Sequence, residues 1–516
     1  MIFLGATAVA GTRARAQRSA GFDFIVVGAG ASGCVLANRL SADPRTRVLL
    51  IEAGGASANP LIPVPGKWTS LLGSEVDWNY ATEPEPGLGG RSIRWPRGKT
   101  VGGSSAINAM AYVRGHRRCF DGWAEECGAA WSYASLLPYF RRIEDNSRGA
   151  SDYRGAGGPL AVADTTDPHA AHLAFLAAAR EVGFAARPDW EFDGAQQERG
   201  AGFYQKTIRK GRRHSVADAY LAPILSRPNL TVWSQAQVLR LETTNGRVTG
   251  VEVRRAGGVE SARAAREVVV AAGVIETPKL LMLSGIGPAA ALRDLRIPVV
   301  ADLPGVGGNL HDHPRVSVRW HSRQPIAASS TSAGLFTWSS QRSPALPPDV
   351  QFYVGRGLDA VDQFITLTVA LSQPRSRGRL SLRSADPLAA PLIRANYFDE
   401  PADLEALADA VRLAQAIAEA RPYAALRGAS ADPDDAVRTP SQLRAYIRRV
   451  ADTIFHPAGT CRMGTGADAV VDPQLRVRGV DGLRVADASV MPTVVNCQTM
   501  AACVVIGERA AELMRA

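Results

Sequence analysis

Phe22-Asp23-Phe24-Ile25-Val26-Val27-Gly28-Ala29-Gly30-Ala31-Ser32-Gly33 decides the fold. Phe22–Val27 is a short apolar run with β-branched residues, as a strand buried on both faces of a parallel sheet requires. Gly28, Gly30 and Gly33 form GxGxxG directly after it, and Cys34–Leu40 reads as a helix. The first glycine permits the tight turn. The second lets the backbone approach a pyrophosphate, and the third lets helix pack on strand. Phosphates then face the positive end of the helix, where Ser32 also stands. Arg47–Ile51 is the next strand and ends at Glu52, 19 residues beyond Gly33. An acid there accepts from ribose hydroxyls. The unit is a dinucleotide-binding βαβ. Glu52 disfavours a 2′-phosphate, hence NADP, but the unit alone does not separate FAD from NAD.

The remaining chain is long. Its 516 residues exceed the roughly 250–300 at which one core divides, so two domains are expected. Apolar residues make up 46% and charged residues 21%, an ordinary globular balance. The net charge of +10 does not read as a nucleic-acid surface. It comes from scattered Arg, with only five Lys, and clusters such as Arg212–Arg213 and Arg448–Arg449 are too brief for a polybasic tract. The six cysteines show no CxxC and no repeated spacing, and read as free thiols, although Cys119 and Cys127 have the option of pairing in an oxidising compartment. Residues 1–20 read as a signal remnant or a disordered tail. Ile2–Gly11 is small and apolar, and Ala14-Arg15-Ala16 has the form of a cleavage site, but no charged region precedes them. Export and a cytoplasmic location both stay open. No apolar run elsewhere is long enough to span a bilayer, so stable membrane insertion is not expected.

Residues 54–100 are rich in Gly, Pro and Trp and read as an extended excursion over the sheet. Further strands are expected at Leu230–Val232, Val238–Glu242, Val248–Arg254 and Glu267–Ala271. A third cluster, Gln351–Val354, Thr366–Leu371 and Arg379–Arg383, alternates as an antiparallel sheet with one solvated face. Leu404–Ala420 and Met500–Met514 read as helices. The fold class is α/β: a Rossmann-like nucleotide domain, and a second domain on an antiparallel sheet covered by helices.

Four more segments carry a family resemblance. Arg97-Gly98-Lys99-Thr100-Val101-Gly102-Gly103-Ser104-Ser105-Ala106-Ile107-Asn108 resembles the first signature of the glucose–methanol–choline (GMC) oxidoreductases. Gly273 to Pro278, continuing to Ser284-Gly285-Ile286-Gly287-Pro288, resembles the second, although Ser284-Gly285 also suits a plain helix C-cap. Gly305–Leu310 with Asp312-His313, and Gly482–Ser489, are similar to two further blocks. They follow the family's order from Phe22 to Glu508. The resemblance implies FAD. It implies that Gly102, Gly103 and Ser105 wrap the pyrophosphate and ring edge, and that Asn108 lies near the isoalloxazine. Val238 would touch the adenine, and Asp487 with Ala488 would return to the phosphates. Ile107 falls where some relatives attach FAD through His, so the FAD is expected to be non-covalent. The domains implied are 21–145, 203–315 and 450–516 for FAD, with 146–202 and 316–449 for substrate.

Oxidising an alcohol moves a hydride to the flavin while the hydroxyl loses its proton, so a base must stand within hydrogen-bond reach. His456 opens His456-Pro457-Ala458-Gly459-Thr460, which is similar to the family's block around the catalytic His. His311 and His313 flank Asp312 without an apparent third ligand, and no metal is expected. The other five His read as surface or ordinary hydrogen-bonding residues. Counting from Met491-Pro492, the family's second catalytic position, His or Asn, falls on Gln498, with Asn496 as rival. Gln keeps the amide but adds a methylene. Cys497, Met500 and Cys503 also depart from the family pattern, and read as compensating core packing. Phe336, Trp338, Phe352 and Tyr353 are candidate pocket walls, and Arg315 and Arg356 candidate anion binders.

The function implied is FAD-dependent oxidation of a small-molecule alcohol to an aldehyde or ketone, with oxygen or another electron acceptor. The alternatives are a hydroxynitrile-lyase-like lyase and a light-driven decarboxylase of the same fold. Oxidase and dehydrogenase are not separable from sequence, nor is the oligomeric state.

Overall fold

The computed structural model describes residues 21–515 except 57–58, 196, 327–328, 355–361 and 435. Residues 1–20, with the signal-like segment, and Arg356 lie outside the described residues.

Phe22–Val27 forms the expected strand, and Ala31–Leu40 the helix after the glycine turn. The strand pairs in parallel with Val48–Ile51 on one side and with the end of Gly258–Val270 on the other. Leu230–Trp233 and Leu483–Val485 extend the parallel sheet at its two sides. Its central strands are apolar and buried, and helix Ala31–Leu40 packs against them. The first half of Gly258–Val270 instead joins Arg247–Arg255 and Gln237–Thr244 in an antiparallel arm. Sequence reading located only the second half of that strand. The first half carries exposed Gly258, Ser261 and Arg263 and resembles surface loop.

The second sheet has the order Arg427–Asp432, Pro314–Ile326, Asp362–Leu371, Val350–Val354, Ala333–Thr337, Gly200–Phe203, Ala185–Ala186, with Asp452–Thr453 beside Pro314-Arg315. All pairs are antiparallel except the last along that order. Arg379–Arg383 is a correction. Arg379–Ser381 leaves this sheet and pairs with Leu392–Arg394 as a separate ribbon. Three alternating residues do not reveal which sheet they join.

Strand periodicity orients this sheet. Val316, Val318 and Trp320 are buried on one face with Ile365, Leu367 and Val369, where helix Pro401–Glu419 covers them. Arg315, Ser317, Arg319, Thr366 and Thr368 point the other way, into a cavity of about 910 Å³. The parallel sheet's glycine turn lines the opposite end of the same cavity. Residues 54–100 supply a side wall through Trp68, Trp78, Tyr80 and Arg97. Ser284-Gly285 ends helix Gly273–Leu283, with Gly285 at φ +81 and its N–H on the Met282 carbonyl. Among the described residues no helix is long and apolar enough to cross a membrane.

Gly33 tests the packing argument, because an added Cβ would lie 1.8 Å from the Gly28 carbonyl oxygen. Gly33→Ala is expected to cost roughly 3 kcal/mol or more by overpacking and to lower flavin content. Gly122→Ala, in helix Arg117–Cys127 with open space around it, should raise stability by about 0.5–1 kcal/mol. Thermal melts and flavin absorbance of the two variants check both signs.

Candidate active site

The nucleotide end begins at Gly28, whose φ of +99 only glycine adopts without strain. Its N–H donates to Ile51 O at 2.7 Å. Gly30 caps helix Ala31–Leu40 without any side-chain hydrogen bond, so the first-turn N–H groups are free for an anion. Glu52 accepts from Ala29 N at 2.9 Å and Gly54 N at 2.8 Å. Burial lifts its carboxyl to about 7, against these two hydrogen bonds. Each oxygen keeps lone-pair capacity for a ribose hydroxyl.

Gly28, Gly30, Ser32, Glu52, Val238, Gly103, Ser105, Asn108, Asp487 and Ala488 all line the one cavity. Gly33 and Gly102 do not line it. Gly33 is the helix–strand contact, and Gly102 turns the loop at φ +97 with its N–H on Ala29 O at 2.8 Å. Ser32 Oγ donates to Cys503 O at 2.8 Å and ties the first helix to helix Met500–Arg515. Asp487 accepts from Gly273 N, Thr277 Oγ1 and Ser489 N, which fixes the turn before Ala488. A Cβ on Gly103 would lie 2.8 Å from Gly30 Cα. The two glycine loops therefore leave a smooth backbone cradle. Free helix N–H groups, a carboxylate at the ribose distance and this cradle fit a dinucleotide. Ile107 lines the cavity and has no nucleophilic atom.

At the other end, His456 and Gln498 both line the cavity. Phe455 takes φ +69, uncommon for an aromatic residue, and turns His456 inward. The turn is held by Phe455 N to Thr453 Oγ1 at 2.7 Å and Arg97 Nη2 to Phe455 O at 2.8 Å. His456 N donates to Asp312 Oδ1 at 2.8 Å, and Tyr397 OH donates to Asp312 Oδ2 at 2.5 Å. The His456 and His313 rings meet Nδ1 to Nδ1 at 3.0 Å. One must donate and the other accept. His313 Nε2 is buried without a hydrogen-bond partner, so the shared contact with His456 is the one hydrogen bond of the His313 ring among the described residues. In the tautomer where His456 donates from Nδ1, its Nε2 keeps a lone pair. Burial, with His313 and Arg97 adding like charge, pushes His456 well below the usual imidazole range.

Gln498 Nε2 donates to Tyr353 OH, and Gln498 Oε1 is buried without a partner. Turning the amide over exchanges these roles, since a phenol both donates and accepts. Asn496 is outside the cavity. It accepts from His116 N at 2.8 Å and donates to Pro348 O at 3.2 Å. His311 accepts from Val494 N at 2.7 Å and bonds Asn309 O at 2.6 Å, pinning the chain just before Gln498. No three His, Cys, Asp or Glu side chains gather as metal ligands among the described residues.

Of the four expected wall aromatics only Tyr353 faces the cavity. Phe352 is its strand neighbour and points into the core, Phe336 packs on Phe192, and Trp338 donates to Leu346 O. Period-two alternation allows only one of Phe352 and Tyr353 inside. Arg315 lines the cavity but is paired with Asp452 at 2.9 Å. Sequence reasoning passed over Lys206 and Tyr397, whose partners are distant in the chain. Cys497 and Cys503 are free thiols held protonated by burial, Cys503 at about 12.

Comparison with known proteins agrees with this geometry. The GMC oxidoreductase model matches residues 22–315 and its C-terminal counterpart residues 374–507. The chain belongs to the GMC oxidoreductase family. It is 40% identical to mitochondrial choline dehydrogenase of Mus musculus, covering 97% of this chain and 91% of that protein. Pyridoxine 4-oxidase from Mesorbium loti superposes with a TM-score of 0.90 at 33% identity, over 95% of this chain and 98% of that one. An FAD-dependent oxidoreductase from Chaetomium thermophilum gives a TM-score of 0.87 at 25% identity, over 96% and 99%. The protein is an FAD-dependent oxidoreductase acting on CH–OH donors.

The buried imidazoles set a pH signature. His311, His313 and His456 all lie below the ordinary value through burial, His313 at about 3. Unfolding lets each take up a proton once the pH falls below about 6.5. Their stabilisation is complete above that pH and is lost as pH falls toward the folded values. The part of the melting temperature carried by these imidazoles should be flat from pH 8 to 7 and fall from pH 6.5 to 5, against the opposite contribution of Glu52, whose raised carboxyl favours the fold as pH falls through 7. A His313→Leu variant should show a shallower fall.

Proposed function

We propose that His456 is the base that takes the hydroxyl proton of a bound alcohol, which leaves as an aldehyde or ketone. The observation that carries this is that His456 lines the cavity and meets His313 Nδ1 to Nδ1; with His456 as the donor of that bond, Nε2 is the lone pair that takes the proton. FAD, held non-covalently in the glycine cradle, supplies the acceptor for the hydride. Its binding residues are those that line the nucleotide end, from Gly28 to Ala488. The boundaries expected from sequence divide the FAD and substrate domains.

Gln498 binds the substrate oxygen. With the amide turned so that Oε1 accepts from the Tyr353 hydroxyl, Nε2 is free to donate to an oxygen that gains charge as the proton leaves. The added methylene relative to Asn lets the amide reach Tyr353 on the second sheet. His313 positions the base and fixes its tautomer. Asp312 holds the His456 backbone and touches no ring.

The test is an anaerobic alcohol panel read by flavin absorbance. The proposal expects bleaching by an alcohol, whereas a lyase would turn over without it. His456→Ala with full flavin content should reduce the bleaching rate by about 10²–10⁴-fold. Full turnover in that variant would remove His456 from the role. Because His456 lies below the usual imidazole range, kcat/KM should stay level through neutral pH and decline only on the acid side.

A further inference from the structure

We infer that the alcohol oxidised here carries a carboxylate, and that Lys206 is the group that holds it. This rests on the alcohol-oxidation reading above.

The carboxylates lining the cavity are each engaged. Glu52 accepts from two backbone N–H groups, and Asp487 from Gly273, Thr277 and Ser489. Glu276 accepts from Tyr80 and Lys279. Asp452 and Asp432 pair with Arg315 and Arg319, at 2.9 and 3.1 Å. Lys206 is different. It lines the same cavity and is 5% exposed, yet has no carboxylate within ion-pair distance among the described residues. Its ammonium donates to Ala109 O and Ser332 Oγ, both at 3.1 Å. An ammonium has three donors, so one remains. Asp167 is close enough to be felt electrostatically, but its oxygens serve Ser330 and Thr331. Arg213, behind Asn108, adds charge of the same sign, and also has no carboxylate partner among the described residues. Burial and Arg213 lower Lys206 to about 8, which leaves it mostly protonated at neutral pH.

A buried cation without a counter-ion is costly unless a ligand completes it. The position suits a substrate. Ala109 follows Asn108 at the ring end of the cradle. Ser332 precedes strand Ala333–Thr337, whose neighbour carries Tyr353, the partner of Gln498. An anion at Lys206 therefore leaves the hydroxyl free to reach Gln498 and His456. One ammonium with one neighbouring hydroxyl matches a monoanionic carboxylate better than a phosphate, which calls for more donors. Lys206, with Arg97 beside His456, also opposes a quaternary ammonium substrate.

The test uses the flavin-loaded enzyme. Benzoate has no hydroxyl to oxidise, and its binding is read as a shift in oxidised-flavin absorbance, with inorganic phosphate as a second titrant. Saturable benzoate binding, stronger than phosphate, is expected, with Kd raised roughly 10–100-fold in Lys206→Met and within a few-fold in Lys206→Arg. Anaerobic flavin reduction is then compared for 4-(hydroxymethyl)benzoate, benzyl alcohol and choline. The acid should be preferred over benzyl alcohol by about tenfold or more, with choline last, and the preference should collapse in Lys206→Met. Equal or better reduction by benzyl alcohol or choline, tighter phosphate than benzoate binding, or a preference unchanged in Lys206→Met overturns the proposal. If Lys206→Met loses flavin, the wild-type binding order and substrate ratio decide alone. If benzoate binds through Lys206 but no alcohol of any charge bleaches the flavin, the alcohol-oxidation reading fails, and with it the claim of an anionic alcohol.

Discussion

Two glycine loops cross at van der Waals limits, and the architecture of the site depends on that crossing. Gly33 packs against the Gly28 carbonyl, Gly103 against Gly30 Cα, and Gly98 against the Gly103 carbonyl, each without room for a methyl group. Gly102 N–H closes the crossing on Ala29 O. The first loop ends the first strand of the parallel sheet, and the second leads to Ser105 and Asn108. Once they touch, the free end of helix Ala31–Leu40 and the segment Ile107–Ala109 have a fixed separation. Everything toward the substrate is built outward from that segment. Arg213 grips Asn108 through O and Oδ1, and Lys206 grips Ala109. The second sheet joins through Ser332.

His456 approaches from another side of the cavity, and its position is also set by backbone. Phe455 in a left-handed conformation would relax if it were free. Thr453, Arg97 and Asp312 over-determine it, and Asp312 is itself held by Tyr397. His311 and His313 come from the same short run as Asp312. They anchor Val494 and contact His456, respectively. One short segment, 309–313, therefore registers both catalytic candidates, which lie more than forty residues apart in the chain at 456 and 498. This explains why a pair of His around an Asp resembles a metal motif in sequence and serves positioning in the structure.

Much of this was legible from sequence where the physics is local. GxGxxG fixes a turn by sterics within six residues, and Glu52 follows from strand length. The helices Pro401–Glu419 and Met500–Arg515 announce themselves by periodicity. The losses occur where the deciding partner is remote. The first half of Gly258–Val270 is a strand only because Arg247–Arg255 pairs with it. Arg315 looks like a free cation until Asp452 arrives from a strand 137 residues later. Tyr353 and Phe352 are equivalent aromatics until the sheet is known to have helix on one face and cavity on the other. Lys206 was invisible for the same reason, because its meaning lies in having no carboxylate within ion-pair distance among the described residues.

The departure at Gln498 is best understood with Tyr353. A Gln at a site suited to Asn places its amide about one methylene further into the cavity, and a longer side chain loses more rotamer freedom when fixed. Tyr353 offsets that by holding one end of the amide, and the Tyr204 ring, 5.4 Å away, confines the phenol in turn. The same wall explains the neighbouring departures. Cys497 is buried with its thiol on Val113 O, Met500 accepts from Asn108, and Cys503 fills the space beside the Ser32 contact. Each is an adaptable, polarisable group that fits a displaced backbone without bringing a new charge. Among the described residues, charge enters this end of the cavity through Arg97, Lys206 and the two paired Arg–Asp bridges. On the proposed reading the amide orients the oxygen, and the electrostatic selection of substrate falls to Lys206, the buried cation with no carboxylate within ion-pair distance among the described residues.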